Sequence, residues 1–221
     1  MINKIIDEAL IAHKFTREHE TDLTRFYKRE SGSAIRFAIL HKLDELTSPA
    51  ELNAAINKSA PDSFLNDPAF KKNSDLICIH HLNKLAEFKN HEEQIFEIEE
   101  DPHFFKKYIL YYSDTEVAAI QDYSFSKLVT TISDKSQFRN YKDEPLAATR
   151  YSVAAKIFIK LPFLELPLTK GELVSLRLQA GEAVTEEGLD ETYNIIQRLV
   201  SNNADDLVKE LIANELENST N

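Results

Sequence analysis

Ile2, Ile5, Ile6, Leu10 and Ile11 recur at the spacing of one helical face, so the chain opens with a short helix. The stretch Thr16 to Thr21 is too polar to continue that face and reads as a loop. Thr21 to Glu30 and Ser33 to Leu43 then flank the turn signal Ser31-Gly32-Ser33. Ile35, Phe37 and Ile39 alternate in side with Arg36 and Ala38, which predicts a hairpin. Ser48-Pro49-Ala50-Glu51 combines a capping serine, a proline at the first helical position and an acid in the first turn, so a helix runs from there to about Lys58. Ala60-Pro61-Asp62 and Asn66-Asp67-Pro68 punctuate the next segment into a turn of helix and a loop. The consecutive apolar residues Leu76, Ile77, Cys78 and Ile79 make Asp75 to His81 a buried strand.

The segment Gln94 to Ser113 reads as a second hairpin. Ile95, Glu97 and Glu99 alternate in side with Phe96 and Ile98, Asp101-Pro102 breaks the run, and Tyr108 to Tyr112 resumes it with residues that strands favour. From Asp114 the periodicity turns helical: a helix carries Val117, Ile120, Leu128, Val129 and Ile132, and another covers Leu146 to Ile159. Two last helices, roughly Thr185 to Val200 and Ala204 to Leu216, are separated by Ser201-Asn202-Asn203 and place Leu207 and Leu211 on one apolar face. The expectation is an α+β protein with a mixed sheet-and-helix region over 1–113, hairpin 94–113 included, a helical region over 114–217, and a disordered tail at 218–221.

At 221 residues with 43% hydrophobic content the chain can bury a substantial core without staples. Its one cysteine, Cys78, excludes an intramolecular disulfide or a cysteine-based zinc cluster and reads as a small buried hydrophobe. Acids among the first eight residues argue against a secretory signal, and no stretch is apolar for long enough to span a bilayer, so a cytoplasmic protein without membrane contact is expected. A formal charge of −11 disfavours a chain that grips a phosphate backbone by itself, and does not exclude a part in a DNA-binding assembly.

Three constellations invite a chemical reading. Glu97, Glu99, Glu100 and Asp101, with Lys106 and Lys107 close behind, are the residue types of a magnesium-dependent phosphodiesterase; strand alternation would separate Glu97 and Glu99 from Glu100. Arg36 and His41 reproduce the arginine, four residues, histidine spacing of one group of helical ribonucleases, but on a segment that alternates like a strand. His80-His81 with His91 and His103 could be imagined as metal ligands, yet neighbouring strand residues point oppositely. With four glycines there is no phosphate-binding loop or dinucleotide fingerprint. No catalytic residue, cofactor or metal is therefore assigned.

Asp67-Pro68-Ala69-Phe70-Lys71-Lys72-Asn73-Ser74-Asp75-Leu76-Ile77, the succession from Phe96 through Asp101-Pro102-His103-Phe104-Phe105-Lys106-Lys107-Tyr108 to Tyr112, and Phe158-Ile159-Lys160-Leu161-Pro162-Phe163 together mark a family resemblance. Over roughly residues 20 to 165 the chain resembles the middle component of bacterial three-component ABC-ATPase systems, the group that includes Lamassu anti-phage defence. The resemblance implies a small non-catalytic subunit that binds an SMC-like coiled-coil ATPase and helps couple it to a nuclease effector. Asp101, Pro102, Phe105, Lys106, Lys107 and Tyr108 are then interface candidates, joined on physical grounds by Leu207 and Leu211. The alternative is a metal-dependent nuclease using Glu97, Glu99 or Asp101 with Lys106 or Lys107; a toxin or antitoxin of unrelated type is a third.

Overall fold

The computed structural model describes residues 1–32, 34–145, 147–166, 183–190, 192–194, 208, 209 and 212. A first compact unit spans Met1–Pro167 and a second Leu168–Asn221. The expected helices over 185–200 and 204–216 fall largely outside the described residues, as do Leu207, Leu211 and the tail at 218–221.

In the first unit the chain runs α1 (Ile2–Ala12), β1 (Thr16–Glu20), β2 (Thr24–Ser31), β3 (Ala34–Leu43), α2 (Pro49–Ser59), α3 (Asp62–Leu65), β4 (Ser74–Leu82), α4 (Phe88–Glu100), β5 (Lys106–Ser113), α5 (Asp114–Ala119), α6 (Phe125–Ile132), α7 (Lys135–Asp143) and α8 (Arg150–Lys160). The five strands pair in chain order, β1-β2-β3-β4-β5. The first three are antiparallel and the last three parallel. This is the expected α+β architecture: a mixed sheet with helices, followed by helices.

The period of two along each strand sends alternate side chains to opposite faces, and both faces are covered. Phe37, Ile39, Leu76, Cys78 and Ile109 pack with Leu52 and Ile56 of α2, Phe64 of α3 and Ile95 and Ile98 of α4. Ala38, Leu40, Ile77, Ile79 and Leu110 pack on the other face with α1, α6 and α8. Residues 114–160 thus share a core with the sheet, and the compact unit runs past the expected boundary at residue 113.

Several elements follow the sequence reading closely. The hairpin β2/β3 turns at Gly32, whose φ of +60° is the left-handed conformation that glycine adopts without steric cost. Ser48 closes a capping box with Glu51 at the start of α2. β4 is buried at every position but His81.

The hairpin expected over 94–113 is corrected. Phe88 to Glu100 is a helix, and only Lys106 to Ser113 is a strand. β4 and β5 are parallel, so the chain must cross over one face of the sheet between them, and α4 is that crossover. The apolar residues Phe88, Ile95 and Ile98 fit a helical face across the whole segment; the alternation at Phe96 to Glu99 is local, and Phe96 is left exposed.

The loop expected at Thr16 to Thr21 is also corrected, because β1 adds there as an edge strand. Its residues Thr-Arg-Glu-His-Glu are all exposed, so no apolar alternation marks it. The helix expected from Asp114 to Ile132 is two helices, with Ser124 capping the second. α7 buries no residue, and its apolar signal is confined to Phe138 and Tyr141, three positions apart.

Candidate functional site

The passage that carries the resemblance lies at the end of the sheet where β4 and β5 begin. α4 stops at Glu100, Asp101 caps it in extended geometry, and Pro102 prevents continuation. Asp101 and Lys107 then lock the connection together. Lys107 Nζ lies 2.7 Å from Asp101 Oδ2, and it donates to the carbonyls of His103 at 2.6 Å and Phe105 at 3.1 Å. Its side chain is 0% exposed, so this ammonium is a buried pin and reaches no solvent.

Asp101 receives three further bonds, from His103 Nδ1 at 2.8 Å, the His103 backbone N–H at 3.4 Å and Asn53 Nδ2 at 3.2 Å. Partial burial would raise its pKa, but these bonds, led by the one from Lys107, hold the carboxyl well below the usual carboxylate range.

Glu99 is committed in the same way. Its Oε1 accepts from the backbone N–H of Ile109 at 2.7 Å, and Lys160 Nζ of α8 bonds both oxygens at 2.5 and 2.8 Å. Further along β5, Lys156 donates to the carbonyl of Tyr111 at 3.2 Å and pairs with the fully buried Glu116 at 2.6 Å. Burial pushes the Lys156 pKa down against the pull of Glu116. Side chains from α4 and α8 thus engage two backbone groups of β5, the Ile109 N–H and the Tyr111 carbonyl.

The acids therefore do not converge. Glu97 and Glu100 are exposed, while Glu99 and Asp101 are spent on the fold. Among the described residues no group of three or more His, Cys, Asp and Glu is arranged to hold a metal ion. The rings of His80 and His91 meet edge to face with centroids 5.9 Å apart, but no third ligand joins them among the described residues. His80 is buried with Nδ1 2.8 Å from the carbonyl of Leu43, His81 faces outward onto Asp114 at 2.9 Å, and His103 is held by Asp101.

His41 is buried against Thr24 Oγ1 at 2.8 Å, and burial lowers its pKa. Arg36 pairs at 3.0 Å with the buried carboxylate of Asp75. Five positions apart on a strand, Arg36 and His41 project to opposite faces. Cys78 is buried, which pushes its thiol pKa up and leaves it unreactive.

Around this end of the sheet lies a concavity of about 770 Å³ lined by Lys71, Lys72, Glu100, Pro102, Phe104, Lys106 and Tyr108 among others. A neighbouring one of about 380 Å³ shares Lys72 and Lys106 and adds Arg36 and Asp75. Of the interface candidates, Pro102, Lys106 and Tyr108 are accessible, whereas Phe105 and Lys107 are buried. The sequence reading missed Phe104. It is 47% exposed and sits at φ +63°, a conformation rare for a residue with a bulky side chain. Nothing in the hydropathy pattern distinguishes it from Phe105 next door.

No curated protein and no solved structure matches the chain. Residues 35–136, from β3 to the first residues of α7 and a little under half of the chain, match the sequence model described as ABC-three component (ABC-3C) system Middle Component 1. That stretch contains the whole Asp101 to Lys107 connection, and the match supports a middle component of an ABC three-component system.

Proposed function

We propose that this chain is a non-catalytic assembly subunit of a Lamassu-type anti-phage system, cytoplasmic, joining an SMC-like coiled-coil ATPase to a nuclease effector and meeting DNA only through the complex. The observation that carries this reading is the family match over 35–136. The geometry supports it from a second side. A metal-dependent nuclease would need Glu97, Glu99 or Asp101 free to bind ions with Lys106 or Lys107 beside them, but Glu99, Asp101 and Lys107 are each consumed by bonds that hold α4, α8 and β5 together. Their removal would damage the fold before it altered any chemistry.

The test is co-expression of the tagged chain with the ATPase and nuclease subunits of one such system. A stoichiometric complex, with ATPase activity in one partner and cleavage in the other, is the expected result. A chain that purifies alone and cleaves plasmid DNA with magnesium, and that loses cleavage when the exposed Glu97 and Glu100 become glutamine, would overturn it.

A further inference from the structure

The concavity beside the Asp101 to Lys107 connection is built on a rigid base. The loop Asp67–Asn73 is tied by the bond from Ala69 N to Asp67 Oδ1 at 2.9 Å, by Asn73 N to Ala69 O at 2.8 Å, and by Asn73 Nδ2 to Ile35 O at 3.2 Å. Phe70, fully buried, anchors that loop among Phe37, Phe64 and Phe105, with ring centroids 5.3 to 5.4 Å apart. Phe105 belongs to the facing loop, so this ring pair clamps the two loops to each other.

What the clamped loops present outward is cationic and aromatic. Lys71, Lys72 and Lys106 are exposed, and none has a carboxylate within ion-pair distance among the described residues. Lys71 Nζ stands 5.2 Å from the centre of the Phe104 ring. Holding a phenylalanine in the left-handed region costs on the order of 1–2 kcal/mol, and here that strain keeps an apolar ring in solvent.

Resting on the assembly reading, we propose that this concavity receives an acidic peptide segment of another subunit, with one apolar side chain seated against Phe104 and Pro102 and its carboxylates on Lys71, Lys72 and Lys106. Its volume is that of a site for a few side chains. The remainder of a chain with net charge −11 is strongly acidic, and Glu100 stands on the rim. A nucleic-acid duplex, with a charge every ~1.7 Å of its axis, would extend beyond the three lysines into that acidic surface. A short anionic segment ends within the patch, inside a Debye length of about 8 Å.

The experiment uses the purified full-length chain and the other subunits of its system. Lys71→Glu, Lys72→Glu and Lys106→Glu together should weaken assembly about tenfold or more while leaving the circular-dichroism melt in place; Lys84→Glu with Lys89→Glu, exposed at the opposite end of β4, should not. Phe104→Gly, which keeps the backbone and removes the ring, should also weaken assembly without destabilising the chain. If the wild type forms no complex, the assembly reading fails. If the complex forms and the triple variant binds as tightly as wild type, or the control pair weakens it equally, this inference alone is overturned. Binding of a fluorescent DNA duplex at physiological salt that the triple variant abolishes would overturn it in favour of nucleic acid.

Discussion

Replacing Lys107 by methionine removes one buried charge while keeping the length and much of the volume of the side chain. In the wild type the ammonium neutralises Asp101 and satisfies the carbonyls of His103 and Phe105. In the variant the two carbonyls lose that donor, and Asp101 keeps only His103 and Asn53. Breaking a buried pair by removing one partner costs about 3–5 kcal/mol. Asp101 is 12% exposed and can recruit some water, which places the expected loss near the lower bound, about 3 kcal/mol.

The effect also carries a pH signature. The folded-state pKa of Asp101 is depressed, so its stabilisation is present above the unfolded value of about 4 and is lost as pH falls below that value towards the folded one. Urea denaturation followed by circular dichroism, at pH 7 and in steps down to pH 3, should show the gap between wild type and Lys107→Met narrowing once pH drops below about 4. Asp101→Asn should cost much less in the Lys107→Met background than in the wild type. A Lys107→Met loss under about 1 kcal/mol at pH 7, or strict additivity of the two substitutions, would refute the claim that this pair is a buried pin.

Three further outcomes are expected in the same denaturation assay. Lys14 occupies the left-handed position that ends α1 at φ +64°, with Lys14 N bonded to Ile11 O and Phe15 N to Leu10 O, so Lys14→Gly should stabilise the protein by about 1 kcal/mol. Ser48→Ala removes the side-chain half of the α2 capping box and should cost about 1 kcal/mol. Tyr27 donates a hydrogen bond to Asp7, and burial together with that carboxylate raises its pKa. Its stabilisation is therefore intact below the unfolded value of about 10 and lost as pH climbs above it, a limb that Tyr27→Phe should flatten.

Elements whose local signal agrees with their tertiary role were legible in the sequence. β4 carries the unbroken apolar run Leu76 to Ile79 because helices cover both faces, and α2 announces itself through Ser48, Pro49 and Glu51. β1 and α4 were not legible, for opposite reasons. β1 buries nothing, so its pairing with β2 is a backbone affair that side chains do not record. α4 contains four residues that happen to alternate, and that local pattern masks the wider helical spacing of Phe88, Ile95 and Ile98, which the parallel pairing of β4 with β5 requires.

The candidate site divides similarly. The sequence singles out the Asp101 to Tyr108 passage through the resemblance it carries. Which of its two neighbouring lysines is a buried pin and which an exposed charge depends on strand register: Lys107 turns inward and Lys106 outward. The strain at Phe104 is a backbone property with no sequence mark.

The closure of β5 has a consequence for how the chain is made. Strands pair in the order of synthesis, so the sheet can grow as the polypeptide emerges, each new strand docking on the last. The seal on its final edge is local at one point and remote at another: Glu99 reaches the Ile109 N–H ten positions on, whereas the carbonyl of Tyr111 meets Lys156 across 45 positions and Lys160 holds Glu99 across 61. Until Lys156 is added, the Tyr111 carbonyl stands open to any neighbouring strand, and a chain truncated before α8 would leave it so permanently. α8 is in this sense a latch that closes after the sheet is laid down: Lys156 covers the edge of β5 directly, and Lys160 steadies the Glu99 that covers it alongside.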